Sequence, residues 1–104
     1  MAYSKDAVEK ITLMFFARRG MLPVGTTAAN WRSVTMKSFQ FDDPPITNDP
    51  HFVKRKIAQE LQTMFGEVGM EVRSPLGILK GATKTLGDLV DFLYANKAEV
   101  KPLQ

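Results

Sequence analysis

Catalysis by side chains needs particular residue types with partners in reach, and this chain offers few of them. It contains no cysteine and a single histidine, His51. The lack of cysteine excludes a thiol nucleophile, a thiolate metal site and a disulfide framework. His51 has Asp49 two positions before it as a possible orienting partner, yet no serine stands in a nucleophile-elbow sequence. A base and an orienter without a nucleophile do not make a catalytic set. One histidine among scattered carboxylates also lacks the ligand spacing of a zinc site. Asp42-Asp43, followed by Pro44-Pro45, lacks the further oxygen donors at alternating positions that a calcium loop requires, and a capped turn accounts for it better. Gly25, Gly77, Gly81 and Gly87 form no phosphate-binding fingerprint, since none follows a strand at the required spacing. These residues point away from an enzyme.

The pattern that does stand out is electrostatic. Lys54-Arg55-Lys56 places three consecutive cations in the opening turns of a helix that the sequence starts at Asp49-Pro50. Cations there oppose the helix dipole at a cost of about 0.3–1 kcal/mol each when exposed. Two readings follow. One is a solvated face, with Glu60 four positions after Lys56 giving partial relief. The other is a docking patch for an acidic protein partner, a phosphate or a nucleic acid. The net charge of +3 and sequence pI of about 9.3 are too mild to decide between them.

Amphipathic helices must position these residues. Ser4 caps a first helix running to about Arg19, with Val8, Ile11 and Phe15 on one face, Thr12 and Phe16 beside them, and Gly20 as its stop. The next stretch, Met21 to Asn48, is punctuated by Pro23, Gly25 and Pro44-Pro45, with a short helix expected over Ala28 to Met36. Trp31, Phe39, Phe41 and Phe52 are expected in the core, Phe39 and Phe41 anchoring the loop; an acyl-type guest would become conceivable if several of them lined one cleft. Asp49 as cap and Pro50 at the first helical position start a second long helix carrying Val53, Ile57, Leu61, Met64 and Phe65, which ends at Gly66 or Gly69. Ser74-Pro75 repeats the signal before a single turn bearing Leu76, Ile78 and Leu79. Thr85 and Asp88 form a capping box that opens a last helix with Leu86, Leu89, Val90 and Leu93 inward. No strand is expected, and the polar tail 97–104 is expected to fray.

At 104 residues, 44% hydrophobic and 24% charged, the chain is predicted to be one helical domain over 1–104 with a single core. The charged opening MAYSKDAVEK carries no signal-peptide apolar core, and no stretch approaches the ~20 residues of a membrane span. A cytoplasmic protein is the expectation.

The segment Leu61 to Leu93 resembles the second half of an acyl carrier protein. Phe65-Gly66, the extended Met70-Glu71-Val72 and Thr85-Leu86-Gly87-Asp88-Leu89-Val90-Asp91 follow one another as the corresponding motifs do in that family. The resemblance implies an all-α, acyl-carrier-like four-helix bundle: three main helices, one or two short ones, and a long ordered loop after the first. It also implies a departure. Carrier proteins attach phosphopantetheine to a serine in Asp-Ser-Leu at the start of the second long helix, roughly 14 residues (four turns) before Phe-Gly. Counting back from Phe65 reaches His51, so the usual acceptor is missing and a phosphopantetheine arm is not expected. Ser38 and Thr47 are the weak alternative hydroxyls. The family's second helix is usually acidic, whereas here it carries Lys54, Arg55 and Lys56.

Three expectations follow. The first is a non-catalytic carrier-like module that binds protein partners through those three cations. The second is an atypical carrier modified on a hydroxyl such as Ser38 or Thr47. The third is a small basic nucleic-acid binder, ranked last for want of a helix-turn-helix signature.

Overall fold

The computed structural model describes residues 4–39 and 51–99, and is mostly helical. Helix α1 spans Lys5–Arg18. The Ser4 hydroxyl accepts the Ala7 amide at 3.2 Å, closing its open end. At the other end Gly20 takes φ of 64°. The Gly20 amide bonds the Ala17 carbonyl and the Met21 amide bonds Phe16, both at 3.1 Å. This pair of bonds is a Schellman stop, and the left-handed residue it needs is why glycine stands there. Val8, Phe15 and Phe16 are buried from this helix together with Thr12, whose hydroxyl donates to the Val8 carbonyl at 2.8 Å. That bond lets a polar side chain sit at zero exposure.

The loop after α1 is ordered by aromatic anchors. Trp31, Met36 and Phe39 are buried, and the Phe16 ring meets Phe39 edge-on at 5.1 Å. The single short helix expected over Ala28 to Met36 is instead two one-turn 3₁₀ segments, Trp31–Ser33 and Met36–Ser38. Between them Val34 and Thr35 are extended. Their backbone bonds go across the chain: the Met36 amide to the Lys84 carbonyl and the Leu86 amide to the Val34 carbonyl, each at 2.8 Å. Thr35 and Thr85 form an antiparallel bridge. Two β-branched residues with a cross-chain partner available favour extended backbone over a helical turn.

Helix α2 runs Phe52–Glu67 with His51 at its cap position and no side-chain capping bond. The helix therefore starts two residues beyond Pro50; Asp49 and Pro50 lie outside the described residues, as do Phe41, Asp42-Asp43, Pro44-Pro45 and Thr47. Its buried face is Ile57, Ala58, Leu61 and Phe65, with Val53 and Met64 only half-buried, so the inward stripe is turned toward Ala58 and Phe65. Phe52, expected in the core, is 38% exposed. As the first residue of the helix it lies before the stripe that faces the other elements.

Gly69, at φ of 82°, turns the chain into strand β1, Met70–Val72. Strand β2, Lys97–Glu99, pairs with it antiparallel, Met70 opposite Glu99 and Val72 opposite Lys97. This corrects both the expectation of no strand and that of a tail fraying from residue 97. Three residues are too few to display a period, and a ladder of backbone bonds needs no apolar signature on its outer strand. Helix α3, Leu76–Lys80, has Pro75 rather than Ser74 at its cap position, with no side-chain capping bond.

Helix α4, Leu86–Ala95, starts as expected. The Asp88 amide bonds the Thr85 hydroxyl at 3.1 Å and the Thr85 amide bonds the Asp88 carboxylate at 3.0 Å, a complete capping box. Leu86, Leu89, Val90 and Leu93 have no exposed surface. At about 1.5–3 kcal/mol per fully buried aliphatic side chain they contribute more than any single polar contact in the molecule. Together with Phe16, Leu61 and Phe65 they form one core. No helix among the described residues is long and apolar enough to cross a membrane.

Candidate functional site

The cations at the start of α2 are distributed by helical geometry. A helix turns roughly 100° per residue, so Lys54 and Lys56 point about 160° apart. Lys56 faces α1: its ammonium lies 5.4 Å from the centre of the Phe52 ring, and it borders a shallow groove of about 550 Å³ shared with Phe15, Arg19 and Glu60. Lys54 is half-buried on the opposite side. Arg55 lies between them, exposed, its amide bonded to the His51 carbonyl at 2.8 Å in the first turn. The three consecutive cations form a fan rather than one patch.

Lys54 has company that its sequence neighbours do not reveal. It lines a cleft of about 200 Å³ together with Lys37, from the Met36–Ser38 turn, and Lys80, the last residue of α3. Met36, Phe39 and Leu79 line the same cleft and are 2%, 6% and 1% exposed, so the lysines stand on packed walls. The backbone bond from Met36 to Lys84 fixes the Lys37 turn against the segment that leads into α4. No carboxylate is among the described residues that line the cleft. Lys37 and Lys80 escaped the sequence reading because they lie 17 positions before and 26 after Lys54 (54 − 37 and 80 − 54), on no common period. The one signal available was that each adjoins a core residue, Met36 and Leu79.

Other cations are engaged differently. Arg19 sends Nε and Nη2 to the same Glu60 oxygen at 3.1 and 2.8 Å while its guanidinium stacks 3.8 Å from the Phe15 ring centre, joining α1 to α2. Arg32 donates to Glu9 at 3.0 Å and to Asp91 at 2.8 Å, and Lys5 meets the same Asp91 oxygen at 2.9 Å. The hydrogen bond from Lys5, with that from Arg32 and the charges of both, holds the Asp91 carboxyl below its ordinary range against a partial opposing effect of desolvation. These contacts tie α1, the Trp31 turn and α4 together.

The remaining candidates are dispersed. His51 occupies the position at which the carrier resemblance would require the serine, and its Nδ1 is buried. Ser38 is exposed at the end of the second 3₁₀ turn, its hydroxyl 3.0 Å from that of Thr35, and does not begin a long helix. Of the expected aromatics, Phe39 lines the lysine cleft, whereas Trp31 edges a separate apolar groove of about 330 Å³ with Leu13, Met14 and Leu22. Among the described residues no group of three potential metal ligands occurs. In chemical terms the lysine cleft and the α2 start can attract and hold an anion, and no described nucleophile is set against a base there. Comparison with known proteins finds no match to a family model, a curated protein or a solved structure.

Proposed function

We propose that this protein is a non-catalytic, acyl-carrier-like module that captures acidic protein partners at the end of the molecule where α2 begins, and that it works without a phosphopantetheine arm. One observation carries the reading: Lys37, Lys54 and Lys80, from three separated elements, line one cleft beside the start of α2, and Arg55 is exposed on the same helix. Lys37 and Lys80 make no ion pair with any described residue, which suits a surface that an anionic partner completes. The His51 position supports the absence of an arm, because imidazole is not the hydroxyl that phosphopantetheine transfer requires.

Fluorescence anisotropy with a labelled oligoglutamate peptide tests this directly. Binding is expected at low salt and weakens as salt rises. The double reversal Lys37→Glu with Lys80→Glu weakens it by about tenfold or more, equivalent to ~1.4 kcal/mol. Affinity unchanged by those reversals would remove the docking face. Tighter binding to single-stranded DNA, with a steep salt slope, would replace this reading with nucleic-acid recognition.

A further inference from the structure

We infer that the outward face of α1 is a second docking surface, which takes an amphipathic helix of a partner whose apolar residues are bracketed by two carboxylates about two turns apart. It uses none of the residues of the lysine cleft and stands or falls independently of the docking face at α2.

Helix α1 carries two apolar stripes, and the core accounts for only one. Val8, Thr12, Phe15 and Phe16 face inward. Beside them Leu13 is half-buried, Ala17 is exposed and Met14 is 51% exposed. A single exposed apolar residue would need no explanation. Here the three form one wall of the apolar groove of about 330 Å³, which Leu22 and Trp31 also line. The segment 26–28 forms the other wall and is held by its own hydrogen bonds. The Thr26 amide and hydroxyl both donate to the Pro23 carbonyl, at 3.2 and 2.7 Å, and the Thr27 amide donates to Asn30 Oδ1 at 2.8 Å. Both walls are in place before anything binds, which lowers the ordering cost of filling the groove.

The charge pattern selects the occupant. Lys10, Leu13, Met14, Ala17 and Arg18 stand at i, i+3, i+4, i+7 and i+8, one continuous stripe of the helix. Helical geometry thus sets one exposed cation a turn before Met14 and another a turn after it. Their positions lie about 12 Å apart along the axis at ~1.5 Å per residue. A partner helix laid along this stripe meets both cations with carboxylates at i and i+7, about 10 Å apart, and turns its i+3 and i+4 residues into the groove. Asp6, one turn before Lys10, ends the basic stretch and limits the complementary segment to those two turns. The same pattern rejects two other occupants. A second copy of α1 laid antiparallel sets Lys10 against Arg18, and laid parallel it sets each cation on itself, so like charges oppose self-association. A bilayer takes up apolar groups that project, whereas Trp31, the largest apolar residue of the groove, is 9% exposed.

Trp31 is the only tryptophan of the chain, so its emission reports on the groove directly. The full chain is titrated with a synthetic helix free of aromatic residues, carrying Glu, Leu, Leu and Glu at i, i+3, i+4 and i+7 on an Ala-Gln background. A saturable change in Trp31 emission is expected. Lys10→Glu with Arg18→Glu, both at exposed positions, is expected to weaken binding by about tenfold or more and to create binding of the same helix with Lys in place of Glu. Lys37→Glu with Lys80→Glu should leave the titration unchanged, so failure of this surface and failure of the docking face at α2 are read from different variants. An emission that the peptide does not change would overturn the surface. So would an affinity unaltered by the Lys10 and Arg18 reversal, or equal binding of a helix with both Leu replaced by Ala. An emission change given by vesicles of equimolar phosphatidylcholine and phosphatidylglycerol, but not by the peptide, would replace the helix with a membrane.

Discussion

Two clusters of cations in this molecule are built on opposite plans. Around Asp91, Lys5 and Arg32 are neutralised by Asp91 and Glu9, and the charges join α1, the Trp31 turn and α4. Around the cleft, Lys37, Lys54 and Lys80 share a lining with no carboxylate among its described residues. The first arrangement is explained by folding alone: each charge has an opposite within 3.0 Å. In the second, neither Lys37 nor Lys80 makes an ion pair with any described residue. The contrast separates charge that joins elements from the charges of Lys37 and Lys80, which pair with no described carboxylate, and substitutions in the two clusters should move different observables.

The largest effect is expected where the neutralised cluster meets α4. A Cβ added at Gly87 would stand 2.9 Å from the Arg32 carbonyl oxygen and 3.1 Å from the Arg32 Cβ. Gly87→Ala must therefore push the Trp31 turn off the helix, at a cost of about 1–3 kcal/mol as for other overpacked sites. Chemical denaturation measures that loss, and oligoglutamate affinity should be unchanged. Arg32→Ala comes next. It removes two ion pairs and the stacking on Trp31, whose ring centre lies 5.0 Å from the guanidinium. Because the side chains are partly exposed the loss should be about 0.5–1 kcal/mol, again without an effect on binding. If Arg32→Ala weakened oligoglutamate capture as much as the Lys37 and Lys80 reversals do, the separation between the clusters would be wrong.

The clusters also differ in how far they can be read from the chain. Elements announced by local chemistry were legible: the Ser4 cap, the Gly20 stop and the Thr85–Asp88 box all stand where their residue types imply. Elements that depend on a distant backbone partner were not. The expected helix over Ala28 to Met36 yielded to the Thr35–Thr85 bridge, and the expected fraying of Lys97 to Glu99 yielded to pairing with Met70–Val72. The same division holds for the site. Lys54 was conspicuous because it opposes a helix dipole, whereas Lys37 and Lys80 are ordinary residues until folding sets them beside it. Consecutive position, the strongest cue in the sequence for a Lys54–Arg55–Lys56 patch, misled for a geometric reason, since neighbours along a helix do not share a face.

Acid titration sharpens the contrast further. Lys5 and Arg32 favour the ionised form of Asp91, so its carboxyl titrates lower in the folded than in the unfolded chain. The stability this contributes is fully present above the unfolded value of about 3.9 and is lost as pH falls through the lower folded value. Denaturation midpoints of the native chain should therefore decline below pH ~4 more steeply than those of Asp91→Asn, with the two curves running parallel at neutral pH. The difference should be modest, because the Asp91 side chain is 49% exposed and solvent screens the pair.

The smallest expected effect has the opposite sign. Removing like charges from the cleft should relieve repulsion rather than break a contact, so Lys37→Gln with Lys80→Gln should melt slightly higher than the native chain at low salt, by about 1–2 °C. Raising the salt should abolish the gain, since it screens the repulsion the substitution removes. Arg32→Ala should behave in reverse, melting lower at low salt and approaching the native value as salt is added. A melting point lowered by loss of Lys37 and Lys80 would mean that these ammonium groups stabilise the fold, and the cleft would then belong with the neutralised cluster rather than opposite it.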